Sequence, residues 1–157
     1  MLSGVVTGLL AAALTGCSAD PVAVSPPADL SVADREACRA LLGDIPDALG
    51  ERERREVEPA DALGAAWGDP PIVMTCGGEA PGLSPTAVCE EANGVGYFVE
   101  DASLKDESID VTLVTAGYDP IITVTVPAEQ RPEGVAAAMA GLAATVEEHT
   151  ELVRECL

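Results

Sequence analysis

The chain has 157 residues, a length that favours one domain with a substantial buried core. Hydrophobic residues make up 48% of it, which excludes a disordered acidic tail, and aromatics at 3% leave the core to Val, Leu, Ile and Ala. The formal net charge of −19, from 27 acidic and 8 basic residues, repels phosphate backbones and anionic headgroups, so no nucleic-acid partner is expected.

In chain order, the first feature is the uncharged apolar run from Gly4 to Leu14, too short to span a bilayer, which takes about 20 residues. Its length suits the apolar region of a signal peptide. It ends in Leu14-Thr15-Gly16-Cys17, which resembles the lipobox of bacterial lipoproteins. The chemistry fits, because small residues suit the peptidase and the Cys17 thiol accepts diacylglycerol. Residues 1–16 are then a leader that is removed, and Cys17 is the lipid attachment site and new N-terminus. The alternative is an N-terminal core helix with Cys17 as a packed thiol. The terminal position, the small residues and the absence of charge oppose it. No Lys or Arg precedes the run, which suggests either a start upstream of Met1 or an unusually weak leader. Residues 17–30, with Pro21, Pro26 and Pro27, read as an extended tether.

Residues 31–157 are expected to form a single disulfide-stabilised domain. Ser31 and Asp34 suggest a helix start, with the helix running to about Asp44 because Pro46 pushes Ile45 towards an extended conformation. Glu51 to Glu58 (ERERREVE) alternates charge and reads as an edge strand or an exposed linker, with solvated surface favoured. Ala62–Trp67 and Ile72–Cys76 read as strands around the turn Gly68-Asp69-Pro70-Pro71. Val88–Ala92 and Val95–Val99 flank Asn93-Gly94, the strongest short hairpin signal in the chain. Ile109–Thr115 and Ile121–Val126 alternate around Ala116–Pro120, with Ile109, Val111, Leu113 and Ile122, Val124, Val126 as candidate core faces. Pro132 opens a long Ala-rich helix whose apolar stripe is Val135, Met139, Leu142, Val146, His149, Val153 and Cys156. The expected fold is α+β: an antiparallel sheet of five or six strands with the N- and C-terminal helices packed on one face.

Removing Cys17 leaves four cysteines, an even count that suggests two disulfides in an exported chain, with three connectivities open. Cys38 shares a helix face with Leu41, Leu42 and Ile45, and Cys156 ends the stripe of the last helix. The preferred pairing is therefore Cys38–Cys156, with Cys76–Cys89 closing the Gly/Pro-rich loop between them. A zinc site is disfavoured by the wide spacing, the single His149 and the export context.

Catalytic motifs are not legible. His149 lies on an apolar stripe and reads as a partly buried structural residue. No serine has an elbow or triad context, no glycine-rich phosphate loop occurs, and Asp106–Asp110 lacks the pattern of a calcium loop. Adjacent acidic pairs such as Glu90-Glu91 and Glu100-Asp101 are commonplace in so acidic a chain. From Ala62 onward 16 acidic residues face 3 basic ones, which reads as a solvated face, with cation capture as the weaker alternative. No cofactor is indicated. Trp67-Gly68-Asp69-Pro70 is either a surface turn presented to a partner or, preferably, a core Trp followed by a tight turn, with Asp69 bonding local backbone amides.

Several stretches together carry a family resemblance: the lipobox, the Cys38 helix, AAWGDPPIVMTCG (Ala65–Gly77), CEEANGVGYF (Cys89–Phe98), TVTVP (Thr123–Pro127) and the terminal RECL. The chain resembles the actinobacterial secreted proteins grouped as domain of unknown function 3515, with Tyr97 standing where many relatives carry Trp. The resemblance implies an exported, membrane-associated domain and supplies no catalytic residues. The expected protein is a lipid-anchored monomer on the extracytoplasmic face of the cell membrane. Its expected role is a non-catalytic binding or accessory module whose partner is an envelope protein or wall component. A cell-envelope-modifying enzyme using carboxylates is the alternative.

Overall fold

The computed structural model describes residues 20–25, 27, 29–79 and 81–156. The expected leader and Cys17 lie outside the described residues. In chain order the elements are β1 (Val22–Ala23), α1 (Val32–Asp44), β2 (Ala48–Leu49), β3 (Arg52–Arg55), β4 (Val57–Glu58), β5 (Gly64–Trp67), β6 (Ile72–Cys76), β7 (Val88–Ala92) and β8 (Val95–Val99). They continue with α2 (Asp101–Lys105), β9 (Val111–Thr115), β10 (Tyr118–Asp119), β11 (Ile122–Val126), α3 (Glu133–His149) and β12 (Glu151–Leu152).

The fold is α+β. Its main sheet has eight strands in the order β2-β3-β5-β6-β11-β9-β8-β7, each pair antiparallel. The expected count was five or six, and the strands beyond it are β2 and β3. ERERREVE, read as an edge strand or an exposed linker, supplies β3, and although Arg54 is exposed, Arg52 and Arg55 do not simply face water. Arg52 Nε donates to Gln130 Oε1 at 2.6 Å, and Arg55 Nη1 donates to the Gly68 carbonyl at 2.9 Å. The guanidinium fork satisfies acceptors while its stem lies along the sheet.

Local signals set most of the other elements. The Ser31 side chain accepts from the Asp34 N–H at 3.0 Å and caps α1, and Ile45 before Pro46 is extended at φ −68°, ψ 147°. Asn93 and Gly94 both have positive φ, 51° and 88°, as the tight β7–β8 hairpin requires. Period-two alternation then sorts the strands into two faces. Ile72, Met74 and Cys76 of β6, Val111 and Leu113 of β9, and Ile122, Val124 and Val126 of β11 are buried on the inner face. They join Leu41 of α1 and Ala138, Met139, Leu142 and Val146 of α3 in one core, where α1 and α3 also touch each other. Tyr97 reaches into this layer and donates its hydroxyl to the Met139 carbonyl at 3.2 Å. Ile109, expected on the core face, precedes β9 and is exposed.

The disulfides are Cys38–Cys76 and Cys89–Cys156, with Cα separations of 5.6 and 6.1 Å. This corrects the expected Cys38–Cys156 and Cys76–Cys89 pairing. The cause is the end of α3. Thr150 is extended at φ −129°, ψ 158°, and its Oγ1 donates to the Val146 carbonyl at 2.6 Å, so the helix stops at His149. The stripe does not continue to Val153 and Cys156. Instead β12 pairs with β10, and Cys156 meets Cys89 above Gly96 on the outer face of the sheet. A Cβ at Gly96 would lie 2.8 Å from Cys156 Sγ, so only glycine leaves room for the bridge. Cys38, on α1 beneath the inner face, meets Cys76 at the end of β6.

The boundary expected at Ser31 also moves. β1 pairs in parallel with β4, and Val24 is 3% exposed, so part of the expected tether belongs to the fold.

Candidate functional site

The outer face of the sheet carries a groove of about 830 Å³. Its floor follows from strand alternation. Where Met74, Val124 and Leu113 point into the core, their neighbours Thr75, Thr123, Thr125 and Thr112 point outward. Register places Thr75 directly across from Thr123, and Thr125 directly across from Thr112, so the floor holds two cross-strand threonine pairs. All four are half-buried and line the groove, which leaves their hydroxyls open to it.

One wall is the N-terminal segment. Val24 packs over Gly64 and Leu30 over Gly77, and a Cβ at either glycine would collide with the covering side chain. Between these anchors, Ser25, Pro27 and Asp29 line the groove. The opposite wall is Asp119, Pro120 and Ile121, joined to the floor where the Gly77 N–H donates to the Ile121 carbonyl at 2.7 Å. Gly77 and Gly78, with φ of +85° and +88°, turn the chain at one end and present Glu79. Asp34 adds a fourth carboxylate to Asp29, Glu79 and Asp119. Among the described lining residues there is no Lys, Arg or His and no aromatic side chain. A smaller hollow of about 300 Å³ lies beside the C-terminal segment, lined by Glu91, Tyr118, Leu152 and Cys156 among others.

The residues singled out from sequence lie elsewhere. Trp67 is fully buried, and its Nε1–H donates to the Pro46 carbonyl at 2.9 Å, linking β5 to the chain leaving α1. Gly68 turns at φ +77° beside Arg52, and Gln130 donates to the Pro70 carbonyl at 2.9 Å, so the turn is clamped to the residues before α3. Asp69 does not bond local amides as expected. Its side chain is 89% exposed, and Arg55 stands 3.9 Å away. The motif is therefore a core tryptophan with a pinned turn, not part of the groove.

His149 sits at the end of α3 with its Nε2 2.8 Å from Asp44 Oδ2 at the end of α1. It ties the two helix ends together and does not line the groove. Glu100 accepts from Ser84 Oγ at 2.5 Å and from the Ser84 N–H at 2.8 Å. These two bonds hold its carboxyl below the ordinary carboxylate range. Asp106 is lowered in the same way by the Ser108 hydroxyl and N–H, with a smaller contribution from Arg131. Burial raises the phenol of Tyr97 far above its ordinary value, so it stays a neutral donor. Each of these groups serves a local contact, and none is paired with a nucleophile in the groove.

Arg131 was not singled out by sequence reasoning. It donates to the carbonyls of Ser103, Asp106 and Ile109 at 2.7, 3.0 and 3.0 Å, organising the turn after α2. The groove was missed for a related reason: its residues are scattered along the chain. The one available signal was the outward register of Thr123 and Thr125 in TVTVP.

No curated protein and no solved structure gives a significant match to the chain. A family model described as a protein of unknown function, DUF3515, matches residues 2–153. That span is nearly the whole chain, which therefore belongs to the DUF3515 family.

Proposed function

We propose that this protein is an actinobacterial envelope lipoprotein whose folded domain is a non-catalytic binding module, with the outer-face groove as its binding surface. Residues 1–16 are the removed leader, and lipidated Cys17 holds the domain on the extracytoplasmic face of the cell membrane. The observation that carries the binding reading is the groove itself: a hydroxyl floor between carboxylate-bearing walls, of a volume in the range of ligand sites. Two disulfides support an exported location, because such bonds persist in oxidising compartments. With β1 starting at Val22, a fully extended chain from Cys17 spans roughly 18 Å, so the anchor would keep the domain close to the bilayer.

Cross-linking in intact cells followed by mass spectrometry tests this reading. The expected result is one specific envelope protein or wall fragment, captured by the native chain and lost in Thr123→Arg, which fills the groove floor. Capture that persists in the variant, or no specific capture, contradicts it. Cys17→Ala is expected to move the protein out of the membrane fraction, and an unchanged fraction would place the anchor elsewhere.

A further inference from the structure

We infer that the outer-face groove receives an extended peptide segment bearing lysine-type ammonium groups. The inference rests on the groove being the binding surface and names what it takes.

Charge is the first argument. Asp29, Asp34, Glu79 and Asp119 line the groove, and no basic side chain among the described residues neutralises them there. Three arginines that could have done so are committed elsewhere: Arg52 to Gln130, Arg55 to Gly68 and Asp20, and Arg131 to the turn after α2. Every charged side chain among the described lining residues is a carboxylate, so an incoming cation meets no like charge there.

The floor is the second argument. Thr123 and Thr125 are two residues apart on β11, so their side chains repeat at roughly 6.6–6.8 Å along the strand. An extended peptide repeats its main-chain groups at the same interval. A hydroxyl both donates and accepts, so each threonine suits either a peptide N–H or a peptide carbonyl.

Other occupants fit less well. A groove of about 830 Å³ is far larger than one metal ion or small amine fills. A sugar-stacking platform needs an aromatic face, and none lines the groove. A second copy of this chain would bring a net charge of −19 against the same carboxylates.

Hexalysine and its Nε-acetylated counterpart test the inference, titrated into the isotope-labelled full chain carrying Cys17→Ala, with amide shifts followed by NMR. Hexalysine is expected to bind saturably and to shift the amides of Thr75, Gly77, Thr112 and Thr123, and the acetylated peptide is expected not to bind. Glu79→Gln with Asp119→Asn is expected to weaken binding roughly two- to thirty-fold, the range for losing two solvent-exposed ion pairs. Glu90→Gln with Glu91→Gln, on exposed β7 positions, is expected to leave it unchanged. Equal weakening by both double variants, shifts spread over the whole surface, binding of the acetylated peptide, or no saturable binding would each overturn the inference. A partner captured in cells and lost in Thr123→Arg, alongside no response to hexalysine, rejects the ammonium ligand and keeps the binding module. Failure of that capture rejects the module itself.

Discussion

Replacing Cys89 and Cys156 together by alanine removes the bridge that fastens the C-terminal segment to the outer face. The two residues are 67 apart in sequence, and in the chain-entropy model a loop of that length contributes roughly 4.4 kcal/mol by restricting the unfolded chain. The native state should lose little contact, because β12 still pairs with β10 and the Val153 N–H still donates to the Gly117 carbonyl at 2.8 Å. The matching Cys38→Ala/Cys76→Ala variant loses a 38-residue loop, roughly 3.9 kcal/mol, and also the packing of two fully buried sulfurs. Its total cost should therefore be the larger. Against typical stabilities of roughly 5–15 kcal/mol, either change is severe. Urea unfolding followed by far-UV circular dichroism measures both, and each variant should unfold with a steeper denaturant dependence because its unfolded chain is more expanded. Pairing is checked on the same protein by non-reducing digestion. Trypsin places Cys38 in residues 36–39, both Cys76 and Cys89 in 56–105, and Cys156 in 155–157. The observed bridges join all three fragments into one species, and a further cut after Glu79 separates it into two linked pairs. A species joining 36–39 directly to 155–157, or a loss of under about 1 kcal/mol in the Cys89/Cys156 variant, would refute the reasoning.

Four further outcomes are expected. Trp67→Ala should cost roughly 3–5 kcal/mol in thermal or urea unfolding, since it empties a fully buried site and orphans the Pro46 carbonyl. Arg131→Ala should cost roughly 1–3 kcal/mol and raise amide hydrogen exchange between Ser103 and Ile109, where three carbonyls lose their donor. Gly117→Ala should release the C-terminal segment, because φ is +75° and the new Cβ would collide with the Arg154 carbonyl; protease sensitivity after β12 reads this. Because Ser84 lowers the folded-state pKa of Glu100, that contact stabilises the fold above the unfolded carboxylate pKa. The contribution fades as pH falls through the lowered value. An NMR titration should show Ser84→Ala returning Glu100 towards the ordinary range.

Elements set by local chemistry were legible in the sequence. The Ser31 cap, the extended Ile45 before Pro46 and the Asn93-Gly94 hairpin each depend on residues a few positions apart. What was missed depends on contacts between distant residues. Helical periodicity through Val153 and Cys156 suggested a longer last helix, but Thr150 and the pairing of β12 with β10 end it at His149. That single change sends Cys156 to the opposite face of the sheet and exchanges both disulfide partners. For β3 the sequence offered a strand only as the alternative to solvated surface, because arginines paired with carbonyls look, in sequence, like arginines facing water. The groove was the least legible feature. Its floor gathers threonines from three strands, and its N-terminal wall has the proline-rich composition of a linker.

Binding at the outer-face groove is tested most directly by a photoreactive residue. Substituted for Thr123 on the groove floor, it should form a covalent adduct with one envelope component in intact cells. The same residue substituted for Ala136, exposed on α3, should form none. Adducts from Ala136 alone, from both positions alike, or from neither would contradict a binding surface on the outer face of the sheet.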